Sequence, residues 1–239
     1  VAVIAMVFAA FFGAGLFANT IAVIPIKGEI SSEQSPLSAE LSTGEISEKI
    51  DAAESDASVA AILFDIDSPG GGVTASDILH DALRGFRKEQ AGRKVITLCG
   101  DLAASGGYYV AVASDRIMAH PTTVLGSIGV IVSSLNIKEL AGKIGVKDVI
   151  IKSGKNKDIL NPFEDISEEQ REMLQRVVDS MYDRFVSLVA AGRKLPEETI
   201  RPLADGRLFT AHDAKELGLL DEIGYWDDAM RLTAKELGV

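Results

Sequence analysis

A single serine, Ser105, stands between two alanines and two glycines in the stretch GDLAASGGYYVA, residues 100–111. The preceding apolar run, KVITLCG, predicts a buried strand, and the residues that follow the serine predict a helix. Ser105 would therefore lie at a strand-to-helix junction, beside the partial positive charge of a helix N-terminus, which suits a nucleophile. An ordinary helix N-cap is the alternative interpretation of Ser105 taken alone.

A second glycine-rich turn, DSPGGGV, follows another apolar β-rich run, SVAAILFDI. Pro69 fixes one backbone angle, and Gly70, Gly71 and Gly72 allow close approaches that side chains would prevent. Such a turn can direct bare N–H groups at a ligand oxygen, although an ordinary tight turn is the alternative. If the two turns lie on neighbouring parallel strands, together they predict an acyl-transfer site with an oxyanion hole.

A serine hydroxyl becomes a good nucleophile only when a base takes its proton, and the sequence offers two kinds of base. Among the histidines, His80 and His212 are predicted on helix surfaces, whereas His120 follows a strand in RIMAHPTT and is a candidate. A lysine can also serve once burial has lowered its usual pKa of about 10.4. The stretch IKSGKNKDIL supplies three lysines, and the residues alone do not choose among them. They are Lys152, Lys155 and Lys157.

Composition excludes several functional classes. The 239 residues include 24 basic and 35 acidic side chains, a formal net charge of −11, which argues against nucleic acid as a partner because phosphate binding needs a basic face. No His/Cys cluster has the spacing of a zinc site and no glycine pattern matches a Walker loop, so we predict neither a metal nor a cofactor. The single cysteine, Cys99, lies in an apolar run and predicts a buried structural thiol.

The elements that must position these residues alternate in type. Strand-like and helix-like segments follow one another along the chain, which predicts a largely parallel sheet covered by helices, with ligands at the carboxyl ends of the strands. We also predict a strand at VKDVIIKSG, residues 146–154, and a long helix over residues 167–192. Ser167 and Gln170 would form the capping box of that helix, and Thr210 would cap a later one.

The first 18 residues, VAVIAMVFAAFFGAGLFA, form an uninterrupted apolar run, and the first charge in the chain is Lys27. A membrane-spanning helix needs about 17–25 such residues, so this run is long enough to cross a bilayer. A cleaved signal peptide is the alternative, but the run has no convincing small-residue cleavage site and no visible basic region. We therefore predict a membrane anchor at residues 1–20 and one domain at residues 21–239.

Five blocks of sequence, in order, resemble the signal peptide peptidase A family, a family of membrane-bound serine-lysine peptidases. The resemblance runs from about Ile21 to Trp226 and implies a Clp/crotonase-like α/β fold, a repeated ββα superhelix with a largely parallel sheet. The blocks are DSPGGGV, GDLAASGGYYVA, TVLGSIGVI, KSGKNKDI and DGRLFTAHDAKELGLLDEIG.

The same resemblance implies roles for individual residues. Ser105 matches the nucleophile and Lys157 matches the general base. Ser127, in GSIG, matches a hydroxyl that helps to hold the lysine amine. Gly71 and Gly106 match the two residues whose backbone N–H groups form the oxyanion hole.

The resemblance also implies substrates, partners and a location. Remnant signal peptides or other apolar peptides would be cleaved, several copies would assemble into a ring or bowl, and the anchored catalytic domain would lie outside the cytoplasm. A related membrane peptidase that cuts stomatin-like proteins uses the same dyad. Other hypotheses are a Clp-like Ser-His peptidase using His120, a crotonase-like acyl-CoA enzyme, and an inactive ring-forming scaffold.

Overall fold

The computed structural model describes residues 20–32 and 42–239. Its strands are β1 (Thr20–Ile30), β2 (Val59–Gly71), β3 (Lys94–Ala104), β4 (Arg116–Ala119), β5 (Val124–Gly126), β6 (Leu208–Thr210) and β7 (Glu222–Ile223). Its helices are α1 (Thr43–Ser55), α2 (Val73–Glu89), α3 (Gly106–Ala111), α4 (Lys138–Lys143), α5 (Glu168–Arg193), α6 (Glu197–Ile200), α7 (Ala211–Glu216) and α8 (Trp226–Leu237).

The strands form one sheet with the order β1-β2-β3-β4-β7, and each of these neighbouring pairs is parallel. Beyond the end of β4, β3 pairs in parallel with β5, and β5 pairs in antiparallel with β6. Parallel neighbours need a crossover connection, and helices supply it between β1 and β2 and between β2 and β3. The predicted α/β fold with a largely parallel sheet is confirmed.

The central strands are buried because helices cover them. Ile62, Leu63 and Phe64 of β2 have no exposed surface, which accounts for the unbroken apolar run in this part of the sequence. Ala229 of α8 packs against apolar side chains of β1 to β4. Cys99 lies in the interior of β3, as predicted, and burial raises the pKa of its thiol to about 12.

Polar side chains begin three of the helices at the residues where the sequence has cap signals. Thr210 accepts a hydrogen bond from the Asp213 N–H at the start of α7. Ser167 and Gln170 exchange hydrogen bonds before α5, because the Gln170 N–H reaches the Ser167 hydroxyl (3.3 Å) and the Ser167 N–H reaches the Gln170 amide oxygen (3.0 Å). Both predicted caps are confirmed. A further capping box, Ser42 with Glu45, begins α1.

The chain divides into two compact units. The first unit contains the described residues up to Gly129 together with Phe185–Val239, and it includes the whole sheet. The second unit is Val130–Arg184 and contains α4 and the first part of α5. Ser105 belongs to the first unit and Lys157 to the second.

The strand predicted at residues 146–154 is wrong, since these residues form no strand. Their β-branched composition has the local preference for extended backbone, but a strand also needs a neighbour with which to exchange hydrogen bonds. No segment of residues 130–184 provides such a neighbour. The apolar side chains of this stretch remain in solvent, with Val149 83% exposed and Ile151 98% exposed.

Among residues 20–32 and 42–239, no helix combines the length and the apolar character needed to cross a membrane. The anchor predicted at residues 1–20 falls outside the described residues, apart from Thr20, which begins β1.

Candidate active site

Ser105 joins β3 to α3 with an unusual backbone conformation. Its φ is +49° and its ψ is −118°, and a positive φ in a residue with a side chain costs about 1–3 kcal/mol and persists only where its surroundings enforce it. The surroundings do so here, because the Ser105 N–H donates to the Gly126 carbonyl (2.9 Å) and the Ser105 carbonyl accepts from the Tyr109 N–H (2.9 Å). Ser105 occupies the N-cap position of α3, but its hydroxyl makes no capping hydrogen bond to the helix.

The two glycine turns lie in direct contact at the ends of β2 and β3. A Cβ atom built on Gly70, whose φ is +104°, would lie 2.6 Å from the Gly106 nitrogen and 2.8 Å from the Ser105 Cβ. A Cβ atom built on Gly106 would lie 3.1 Å from the Gly71 nitrogen. Only glycines permit this approach, and it brings the amides of Gly71 and Gly106 close together beside Ser105.

Ser127 lies next to Ser105 because β5 pairs with the end of β3. Ala104 is in register with Gly126, so the two serines follow a paired position on adjacent strands. Ser127 also has a positive φ, +49°. Its N–H donates to the Arg207 carbonyl at 2.8 Å, and the ion pair between Arg207 and Asp205 (2.6 Å) closes this supporting turn.

His120 makes its contacts elsewhere in the sheet. Its backbone N–H donates to the Cys99 carbonyl (3.3 Å), six residues before Ser105, and its ring Nδ1 lies 3.0 Å from the Gly224 carbonyl. The ring also packs against that of Tyr225, with the centroids 5.5 Å apart. Among the described residues, no hydrogen bond joins the His120 ring to Ser105.

The other two histidines differ from each other. His212 is an exposed residue of α7, as predicted, and lies 3.3 Å from a Glu216 carboxylate oxygen. His80 is buried, only 3% exposed, with its ring 5.6 Å from that of Tyr109. The predicted surface position of His80 is therefore wrong, because the face of α2 on which it lies packs against α3.

The three candidate lysines of the second unit have different environments. Lys152 donates to both carboxylate oxygens of Asp158 (2.8 Å each), and this hydrogen bonding raises the pKa of Lys152. Lys155 forms an ion pair with Glu169 (2.7 Å). Lys157 lies on an exposed turn, with its N–H donating to the Gly154 carbonyl (3.1 Å), and no carboxylate of residues 130–184 pairs with its amine.

The second unit also contains a cavity of about 350 Å³ between its extended segments and α5. Its walls are half apolar and half polar, with Leu135, Leu160 and Leu174 among the apolar residues and Glu164 and Arg171 as the charged ones. None of the predicted site residues lines this cavity.

Metal binding has no candidate cluster in the part of the chain that the structure describes. No group of three or more His, Cys, Asp or Glu side chains there could hold an ion. The described residues bring together a serine with a strained backbone, two adjacent glycine amides and a second serine. Ser68 and the Asp205–Arg207 turn lie in the sequence blocks named above, but the sequence assigned no role to either, although both contact this group of residues.

Two protease family models match parts of this chain. The family model of peptidase family S49 matches residues 87–239, and that of the Clp protease family matches residues 31–125. An Enterococcus faecium protein named signal peptide peptidase SppA is 41% identical over 183 residues, covering 77% of this chain and 53% of that protein. Protease 4 of Salmonella typhi is 35% identical over 218 residues, covering 91% of this chain and 34% of that protein.

The chain thus spans about half the length of the Enterococcus protein and about a third of the Salmonella protein. Among solved structures, a ClpP1 mutant from Listeria monocytogenes has a TM-score of 0.57 at 20% identity, over 87% of this chain and 94% of that chain. At this level of identity the likeness concerns the fold alone.

Proposed function

This chain belongs to peptidase family S49, and we propose that it is a serine endopeptidase with Ser105 as nucleophile and Lys157 as general base. The observation that supports this most directly is the backbone of Ser105. Its strained conformation is enforced by hydrogen bonds on both sides while its hydroxyl is withheld from the helix that it precedes. Strain of this kind persists where a function needs it.

The proposed reaction has two stages. In the first, neutral Lys157 takes the Ser105 proton as Oγ bonds to the scissile carbonyl carbon, and the Gly71 and Gly106 N–H groups donate to the resulting oxyanion. The C–N bond then breaks, and the lysine ammonium protonates the leaving amine. In the second stage, Lys157 takes a proton from water, the hydroxide attacks the acyl-serine ester, and the returned proton restores the Ser105 hydroxyl.

The choice of Lys157 among the three lysines rests on their neighbours. A base must be neutral to accept a proton, and a paired carboxylate favours the charged ammonium. Lys152 and Lys155 each have such a carboxylate, whereas Lys157 has none within residues 130–184. Because Lys157 is exposed in the single chain, the proposal requires the bound peptide or a second copy of the chain to exclude water from its amine.

Ser127 is proposed to hold the lysine amine. A hydroxyl can accept a hydrogen bond from the amine, and the strained backbone of Ser127, fixed by the Arg207 carbonyl, supports a functional position.

For substrates, we propose remnant signal peptides or other apolar peptides, in keeping with the name of the Enterococcus relative. We also propose that copies of the chain assemble into a ring, since the second unit exposes apolar side chains such as Ile131 (87%) and Leu135 (82%). The apolar segment at residues 1–18 would anchor the protein in the cell membrane, with the catalytic domain outside the cytoplasm.

Hydrolysis of a fluorogenic peptide with small apolar residues before the scissile bond tests this proposal. Ser105→Ala and Lys157→Ala are each expected to reduce kcat/KM at least about 1,000-fold. Lys155→Ala is the matched control, because Lys155 is an exposed lysine of the same segment, and its activity should stay within about twofold of wild type. Wild-type activity should rise with pH until the proposed base is mostly neutral.

The His120→Ala variant tests whether the general base is a lysine or a histidine. We expect it to remain active, because the His120 ring already contacts Gly224 and Tyr225. An inactive His120→Ala together with an active Lys157→Ala would contradict the serine-lysine mechanism and establish a Clp-like serine-histidine peptidase. A wild type that cleaves no peptide would leave the ring-forming scaffold as the better description.

A further inference from the structure

The ladder between β1 and β2 is irregular just before the first glycine turn. Its register shifts between Lys27 and Glu29, and the ladder between β2 and β3 shifts between Ile66 and Ser68. Pro69 falls within this irregular stretch and has no N–H to donate. Hydrogen bonds from another group must therefore hold β1 and β2 together at this level.

Ser68 supplies those hydrogen bonds. Beyond the shift, the Gly72 N–H donates directly to the Ile30 carbonyl (2.9 Å). Two residues earlier on both strands, the corresponding groups are the Gly70 N–H and the Gly28 carbonyl, and the Ser68 hydroxyl stands between them. It accepts from Gly70 N–H (3.1 Å) and donates to the Gly28 carbonyl (2.5 Å).

The same residue also touches the second glycine turn. A Cβ atom built on Gly107 would lie 2.9 Å from the Ser68 carbonyl oxygen and 3.3 Å from the Ser68 Cβ. Ser68 itself has no exposed surface. It is thus packed between the two turns, next to the residues that bear the Gly71 and Gly106 amides, and substrate cannot reach it.

We propose that Ser68 is a positioning residue whose hydroxyl, inserted into the β1–β2 ladder, sets the direction of the Gly71 N–H in the oxyanion hole. This inference rests on the proposed function. Without the hydroxyl, the Gly70 N–H can bond directly to the Gly28 carbonyl, and the backbones of β1 and β2 approach each other at this position. Gly70 and Gly71 then move toward β1 and away from Ser105.

The expected effect is specific to the transition state. An oxyanion hole stabilises developing charge, so a misdirected N–H lowers kcat while peptide binding is retained. We expect Ser68→Ala to lower kcat about 10- to 100-fold with KM within about twofold of wild type. Its affinity for a peptide aldehyde, whose hemiacetal oxygen takes the oxyanion position, should fall by the same factor as kcat, and the affinity for an uncleaved peptide should not change.

The experiment measures kcat, KM, aldehyde inhibition and thermal unfolding on the full chain. Ser68→Thr keeps the hydroxyl and should recover most of the lost kcat. Ser114→Ala is the matched control, because it removes a buried hydroxyl that bonds the Thr97 side chain of β3 (2.6 Å), away from both turns. If Ser68→Ala does not fold, Ser68→Cys, with its weaker hydrogen bonds, replaces it and should show a smaller loss of kcat.

Three results would overturn this inference alone. The first is a Ser68→Ala variant with wild-type kcat while Ser105→Ala is inactive, which would leave the proposed function intact. The second is a loss of kcat that is no greater than that of Ser114→Ala at equal loss of thermal stability. The third is unchanged aldehyde affinity despite a lower kcat. A wild type without peptidase activity would overturn both the proposed function and this inference.

Discussion

The serine-bearing and lysine-bearing regions of this chain are built in different ways. Ser105 and its neighbouring glycines lie at the ends of buried parallel strands, and hydrogen bonds from adjacent strands fix their backbones. Lys157 lies on an exposed turn in a unit whose extended segments form no strand and whose apolar side chains remain in solvent. The proposed nucleophile and the proposed oxyanion hole thus lie within one unit of the chain, whereas the proposed base still requires substrate or a second copy to exclude water from its amine.

The largest expected difference between the two regions comes from the same substitution at two glycines. Gly70→Ala should destabilise the protein by about 2–4 kcal/mol, because φ is +104° and the new Cβ would meet the Gly106 nitrogen at 2.6 Å. It should also reduce kcat at least about 100-fold by displacing the Gly71 N–H. Chemical denaturation and peptide hydrolysis measure the two effects.

Gly154→Ala is the matched control in the lysine-bearing region. Its Cβ would meet nothing within 4 Å, so its stability should stay within about 0.5 kcal/mol of wild type. Equal losses of stability in the two variants would contradict the contrast between a tightly packed serine site and an open lysine turn.

The sequence predicted the strands and glycine turns around Ser105 better than it predicted the elements further away, for a physical reason. Ser105 and the glycine turns follow long buried strands whose composition is locally distinctive. In contrast, β5, β6 and β7 are two or three residues long, too short to show a periodicity, and they exist only through pairing with distant segments.

The errors in the prediction have the same origin. The strand expected at residues 146–154 has the right composition but no neighbour, and His80 lies on a helix face whose burial only tertiary packing determines. The role of Ser68 depends on the irregular ladder beside Pro69, which no local pattern reveals. Composition indicates which segments can form an element, and only the partner segment determines whether they do.

We expect a smaller difference between the two regions in how much an ion pair contributes to stability. Asp221 is 17% exposed and pairs with Arg193, which is 7% exposed, at 2.8 Å. Burial raises the pKa of Asp221, but hydrogen bonds from Arg193 and the Ile117 N–H outweigh burial, and the net pKa lies below the usual value. Stability from this pair is therefore fully present above about pH 4, the pKa of an unfolded aspartate, and is lost as pH falls through the lower folded value.

Asp221→Asn should cost about 1–3 kcal/mol at pH 7, and the cost should shrink as the pH falls below 4. Asp165→Asn is the matched control, because Asp165 pairs with Lys138 in the second unit and both side chains are more than half exposed. Its cost should stay below about 0.5 kcal/mol at any pH. Urea unfolding at several pH values distinguishes the two, and a pH-independent cost for Asp221→Asn would contradict the ion-pair explanation.

The smallest effect on stability is expected from substitutions of apolar side chains that face solvent. Val149→Ala removes two methyl groups that are already hydrated, since Val149 is 83% exposed, so the single chain should lose less than about 0.5 kcal/mol. Val189→Ala makes the same change at a fully buried position of α5 and should cost about 2 kcal/mol or more through the cavity it leaves.

Measuring thermal unfolding at several protein concentrations tests whether Val149 is covered in the proposed assembly. If copies of the chain cover Val149, then Val149→Ala lowers the midpoint of thermal unfolding only at concentrations where sedimentation shows assembled protein, because association stabilises the folded state by mass action. Val189→Ala lowers the midpoint equally at every concentration. A Val149→Ala variant that unfolds and sediments like wild type throughout would mean that this apolar stretch lies outside any interface, and the desolvation of Lys157 would then have to come from the bound peptide alone.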